Sequence, residues 1–121
     1  MKLLSVSAAG TSTSLGHRIR VADTWWTRFR GLLGTPSLAQ GEGLLIEPCR
    51  GVHMLGMKYP IDVAFLDRAG RVVGVCHRLA PGARSPFVRA ARSALELPAG
   101  TLAAAGVTEG DTLTLSPLET S

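Results

Sequence analysis

The chain has 121 residues, 45% of them hydrophobic and only 5% aromatic, with 14 Gly and 7 Pro. That suffices for one domain, residues 1–121, with a core of aliphatic side chains; it is too short for two, and its many turn formers favour short strands over long helices. The net charge of +4 comes from eleven Arg and two Lys against nine acids, but the arginines form no run and have few aromatics between them, which argues against a nucleic-acid surface and for a solvated basic one.

In chain order, the opening MKLLSVSAAGTSTS has one Lys and a short apolar run, too little for an export signal or a membrane span, so a cytoplasmic protein without a membrane partner is expected. LLSV and then HRIRVAD, residues 17 to 23, read as strands, the second by its polar–apolar alternation. Asp23 or Thr24 can cap a helix through WWTRFRGLL, where Trp25, Phe29 and Leu32 share one face and Gly34 with Pro36 ends it. GEGLLIEP, residues 41 to 48, reads as a strand, and PCRGVHMLGM as the next one, running to residue 57.

IDVAFLDRAGRVVGVCHRL carries the clearest local signal, two β-rich runs about Asp67-Arg68-Ala69-Gly70, a type I turn with Gly70 in the left-handed bulge position. Pairing Asp67 with Arg71 sets Phe65 opposite Val73, Val63 opposite Val75 and Ile61 opposite His77, and places Asp62 opposite Cys76 on the second face. Beyond it, LAPGARSPF is a connection, ALELPAG a strand with Glu96 toward solvent, TLAAAG a helical turn and GDTLTLS a last strand. The final residues, 117 to 121, read as a flexible tail. These elements predict a mainly β (α+β) domain, a compact antiparallel β-sandwich or barrel with one short helix.

RGLLG at 30–34, GLLIEPCRGVHMLGMKYPIDVAFLDRAGRVVGV at 43–75 and ALELPAGTLAAAGVTEGDTL at 94–113 together resemble domain-of-unknown-function family 192, a widespread bacterial and archaeal group. The resemblance implies a β-rich fold of jelly-roll type with a short helix, and it transfers no reaction. The family features would fall on Arg30 and Gly31, Met57, Asp62, Gly70 and Glu96.

Asp62 lies between Ile61 and Val63, and a bare carboxylate there would cost several kcal/mol. Arg30 is the expected partner, in an ion pair holding the helix to the sheet; the functional alternative is a pocket where Arg30 binds an anion and Asp62 positions a polar group. Cys49, His53 and Met57 offer thiolate, imidazole and thioether, a set suited to Cu(I). In an extended strand their spacing covers about 26 Å at roughly 3.3 Å per residue, so they do not converge, and no metal or cofactor is expected. Cys49 and Cys76 form no CxxC pair and read as buried free thiols. There is no nucleophile elbow and no phosphate loop.

The sequence therefore favours a non-enzymatic module binding a small molecule or a protein in a shallow cleft near His53, Lys58 and Asp62, with Arg30, Met57 and Glu96 as further candidates. The rival is a small enzyme with Asp62 and His53 as acid and base.

Overall fold

The computed structural model describes residues 2–118. In chain order the elements are β1 (Leu3–Ala8), β2 (Ser14–Ala22), α1 (Trp25–Arg30), β3 (Glu42–Ile46), β4 (Ile61–Leu66), β5 (Val72–Leu79), β6 (Ser93–Pro98), α2 (Thr101–Ala105) and β7 (Leu113–Pro117). The fold is mainly β, as expected, and of the two forms considered, sandwich or barrel, it takes one curled sheet in the order β5-β4-β6-β3-β2-β1-β7. Every pairing is antiparallel except β2 with β3. A parallel pair needs a long crossover, and the connection that carries α1 supplies it.

Alternation along the central strands divides the apolar residues between two cores. Ile19, Leu45, Leu95 and Ala64 point to the concave side, where Leu102 of α2, Val107 and Leu113 complete the filling. Leu44, Ala94, Val63 and Phe65 point to the convex side. That second face is covered by the connections 47–60 and 80–92 and by Leu32, so β4 is buried on both faces. The sheet's free edges meet where Arg71 bridges Thr112 and where the amide of Leu113 donates to the Gly70 carbonyl at 2.8 Å. The turn between β4 and β5 thus closes the barrel at one end.

Thr24 caps α1: its hydroxyl accepts from the Thr27 amide at 3.2 Å, while the Thr27 hydroxyl accepts from the Thr24 amide at 3.1 Å. The helix ends at Gly31, three residues before the expected stop. The side chains of Trp25 and Phe29, and residues 119–121 of the expected tail, lie outside the described residues. Among the described residues, no helix is long and apolar enough to cross a membrane.

Two readings are corrected. Residues 49–57 add no strand to the sheet; Gly51 and Gly56 interrupt the segment, which instead pairs irregularly with the connection 80–92. The Met54 amide donates to the Ala83 carbonyl at 2.7 Å, the Ser85 amide to Val52 at 2.8 Å and the Val88 amide to Arg50 at 2.7 Å. The hairpin register also departs from the simple pairing. Leu66 faces Val72 as expected, but Phe65 faces Gly74, Val63 faces Cys76 and Ile61 faces Leu79, because β5 carries an extra residue at Val73 and another at His77–Arg78.

Candidate functional site

The convex face holds a cavity of about 390 Å³. Its floor is sheet: Ile46 from β3, Ile61 from β4 and Glu96 from β6. Its walls are the segment Cys49–Leu55 with Met57, and the residues Arg30–Leu33 at the end of α1. The interrupted run at Gly51 and Gly56 is what folds Cys49, His53 and Met57 onto one cavity. The extended spacing that separated them in the sequence reading therefore does not apply. Among the described residues, no three His, Cys, Asp or Glu side chains group as a metal site.

Glu96 is the polar centre of the floor. In β6, Leu95 and Leu97 fill the concave core, so Ala94 and Glu96 must point to the convex side, where Leu44 and Val63 are Glu96's cross-strand neighbours. The expected exposure of Glu96 is wrong because the two connections cover this face: it is only 4% exposed. Among the described residues its carboxyl has no hydrogen-bond partner, and loss of water pushes its pKa up from 4.5 to about 7. Tyr59 and Cys49 sense the same group. Burial chiefly raises both, and the charge of Glu96 adds in the same direction. The Tyr59 hydroxyl is buried without a partner among the described residues, while the Cys49 thiol donates to the Gly51 carbonyl at 3.1 Å.

Three arginines ring the mouth, and each is tethered by one nitrogen. Nε of Arg28 donates to the Pro48 carbonyl at 3.1 Å, Nε of Arg50 to Ala91 at 3.2 Å and Nε of Arg30 to Leu33 at 3.4 Å. The ion pair among the described residues is Arg92 with Glu47, at 3.9 Å, so no described carboxylate neutralises these three guanidinium groups. His53 and Leu55 are exposed at the same mouth.

Of the sequence candidates, Arg30, His53, Met57 and Glu96 come together here; Asp62 and Lys58 do not line the cavity. Asp62 lies on the opposite face of β4 and does not pair with Arg30. It is fully buried, with Oδ2 accepting from the amides of Gly100 at 3.1 Å and Leu102 at 2.9 Å, and Oδ1 from Arg78 at 2.9 Å. It therefore fastens the start of α2 and the bulge of β5, where Arg78 has a φ of +50°, to the end of β4. The expected cleft near Asp62 is replaced by one on the other face, because the parity of β4 sends Asp62 inward and Ile61 outward. Arg28 and Arg50, which line the cavity, escaped the sequence reading, since no spacing links a residue of α1 to one in a covering connection.

Comparison with known proteins agrees with this architecture. Residues 6–115 match the model of domain-of-unknown-function family 192, described as Uncharacterized ACR. A UPF0127 protein of Thermococcus sibiricus is 39% identical over 61 residues, a segment covering 46% of this chain and 39% of that relative's length. A protein of unknown function from Novosphingobium aromaticivorans has a similar structure, with a TM-score of 0.79 at 24% identity over 93% of this chain and 83% of its own. A candidate transcription regulator of Sinorhizobium meliloti gives a TM-score of 0.77 at 24% identity, over 94% of this chain and 92% of its own. At that identity the likeness concerns the fold alone.

Proposed function

The chain belongs to domain-of-unknown-function family 192, whose membership carries no reaction, and we propose that it is a binding module that takes a small molecule into the cavity above Glu96. One observation carries this reading: a residue only 4% exposed, whose carboxyl has no hydrogen-bond partner among the described residues, lines that cavity. Such a group costs the fold several kcal/mol when ionised, whereas Gln or Leu at the same position would cost less. A carboxyl that weakens the fold and has no polar partner among the described residues marks a place where something from outside supplies the missing partner. The volume lies in the range of small-ligand pockets, and the mixture of apolar walls with a few polar groups is their usual lining.

The test is a thermal-shift screen of a metabolite library against the full chain. Hits should raise Tm progressively with concentration, as binding to the native state requires, without being consumed, and Met57→Trp, which fills the cavity from a half-buried position, should abolish the shift. Hits that survive Met57→Trp, or a screen without hits, would overturn the reading.

A second reading is favoured by the same carboxyl: a pKa of about 7 suits general acid–base chemistry at neutral pH. The acid–base role foreseen for Asp62 passes to Glu96 in this version, because all of Asp62's contacts are structural. Consumption of a hit, lost in Glu96→Gln, would decide for it. We also place the protein in the cytoplasm, a reading supported by its two free cysteines.

A further inference from the structure

We infer that the occupant of the cavity is a small organic anion, its acid group held at the mouth by Arg28, Arg30 and Arg50 and its far end carrying a hydroxyl or amino group for Glu96. This rests on the reading of the cavity as a binding site and names the chemistry of its ligand.

The mouth selects the sign of the charge. Arg28, Arg30 and Arg50 come from different segments, yet each spends its Nε on a backbone carbonyl. Tethering fixes the direction of each guanidinium and leaves its two terminal nitrogens to donate elsewhere. Planar donor pairs of this kind match the two oxygens of a carboxylate or a phosphate monoester, and a fixed fork loses less rotamer freedom on binding. Arg92, by contrast, already has Glu47. A cationic ligand would have to pass three positive charges that no described carboxylate neutralises, so the mouth disfavours it.

The interior sets size and shape. About 390 Å³ corresponds to roughly a dozen non-hydrogen atoms at the ~30 Å³ that one water occupies in the liquid. Met54 and Met57 on the wall and Ile46 and Ile61 beside Glu96 on the floor present apolar surface, which suits a short hydrocarbon body. A polymer such as a nucleic acid could meet the mouth only, since the floor is closed by the sheet.

The floor demands a polar end. A purely apolar tail would close the cavity over Glu96 and leave the carboxyl with nothing in return. A ligand O–H or N–H donor reaching it supplies a charge-assisted bond.

Four flexible probes separate these contributions: ω-hydroxyhexanoate, hexanoate, hexanediol and hexylamine, each titrated into the full chain while the methyl resonances of Met54 and Met57 are followed. The hydroxy acid is expected to bind roughly tenfold more tightly than hexanoate or the diol, the ratio that one charged hydrogen bond supplies. Replacing Arg28 and Arg50 by Gln should erase the preference over the diol, and both side chains are exposed, so the fold should survive. Glu96→Gln should reduce the preference over hexanoate and leave the preference over the diol.

If hexylamine or the diol binds best at these methyls, the cavity is a binding site and the anion is the wrong class. If a single-stranded oligonucleotide binds at the arginines with no dependence on Glu96, the mouth serves a polyanion and the inference fails. If none of the probes moves either methyl, the ligand class and the binding reading fall together.

Discussion

A carboxyl held in a dry site makes the folded chain a weaker acid there than the unfolded chain, and stability must then depend on pH. Glu96 has a folded pKa of about 7 against an ordinary 4.5, so folding takes up a proton between those values. The favourable, protonated state is fully present below about pH 4.5, is lost progressively up to pH 7, and is absent above it. The difference corresponds to at most about 3 kcal/mol. Urea titrations at pH 5 and pH 8 should show this loss in the wild-type chain, and Glu96→Gln should flatten it and be the more stable of the two at pH 8. Equal pH dependence would place the carboxyl in water. Asp62, by contrast, has three backbone amides donating to its two oxygens. Asp62→Asn keeps the shape but cannot accept from all three amides, so a loss of about 2–4 kcal/mol is expected in chemical denaturation, while any cavity ligand binds the variant as before. The sequence marked Asp62 as a buried carboxylate in need of a partner but named Arg30 in place of three backbone amides, and it set Glu96 toward solvent. Alternation in ALELP describes a half-covered strand, and nothing local tells that two distant connections cover the other half.

The β4–β5 hairpin was legible because its turn chemistry is local: Asp67 accepts from the amides of Ala69 and Arg71, both at 2.9 Å, and Gly70 has a φ of +84°. The two bulges in β5 were not legible, since they answer to partners elsewhere, one turning the Arg78 amide onto Asp62. Residues 49–57 were misread for a related reason. Val52 and Met54 are as buried as strand residues, but burial here comes from lying across a sheet, and an apolar count cannot distinguish that from membership in one. The same turn provides a test of barrel closure. A Cβ on Gly70 would come within 2.5 Å of the Leu113 carbonyl oxygen, whereas one on Gly82, with a similar φ of +82°, would meet nothing within 4 Å. Both Ala variants incur the backbone cost of roughly 1 kcal/mol. Gly70→Ala should lower Tm clearly further than Gly82→Ala; equal shifts would show that the closing contact contributes nothing.

Across the whole molecule, the strand order sets β3 beside β6 and β4 beside β6, so the central pairings join segments far apart in the chain. Closing such loops before contacts form is slow, and stopped-flow refolding is expected in the millisecond-to-second range. Microsecond refolding would mean that the two hairpins, β1–β2 and β4–β5, carry most of the folding free energy themselves. Composition and turn content foretold a β-rich domain because they constrain every residue at once, whereas the parallel β2–β3 pair depends on one crossover that no pattern announces. The convex cavity has one further consequence. Its walls are the connection 47–60 and the end of α1, its floor is three strand residues, and the barrel's own filling lies behind the sheet. Segment 47–60 can therefore be exchanged together with residues 30–33, while 80–92 is kept as its pairing partner, with Glu96 kept or replaced to match, and the barrel reused as a chassis for receptors of other small molecules.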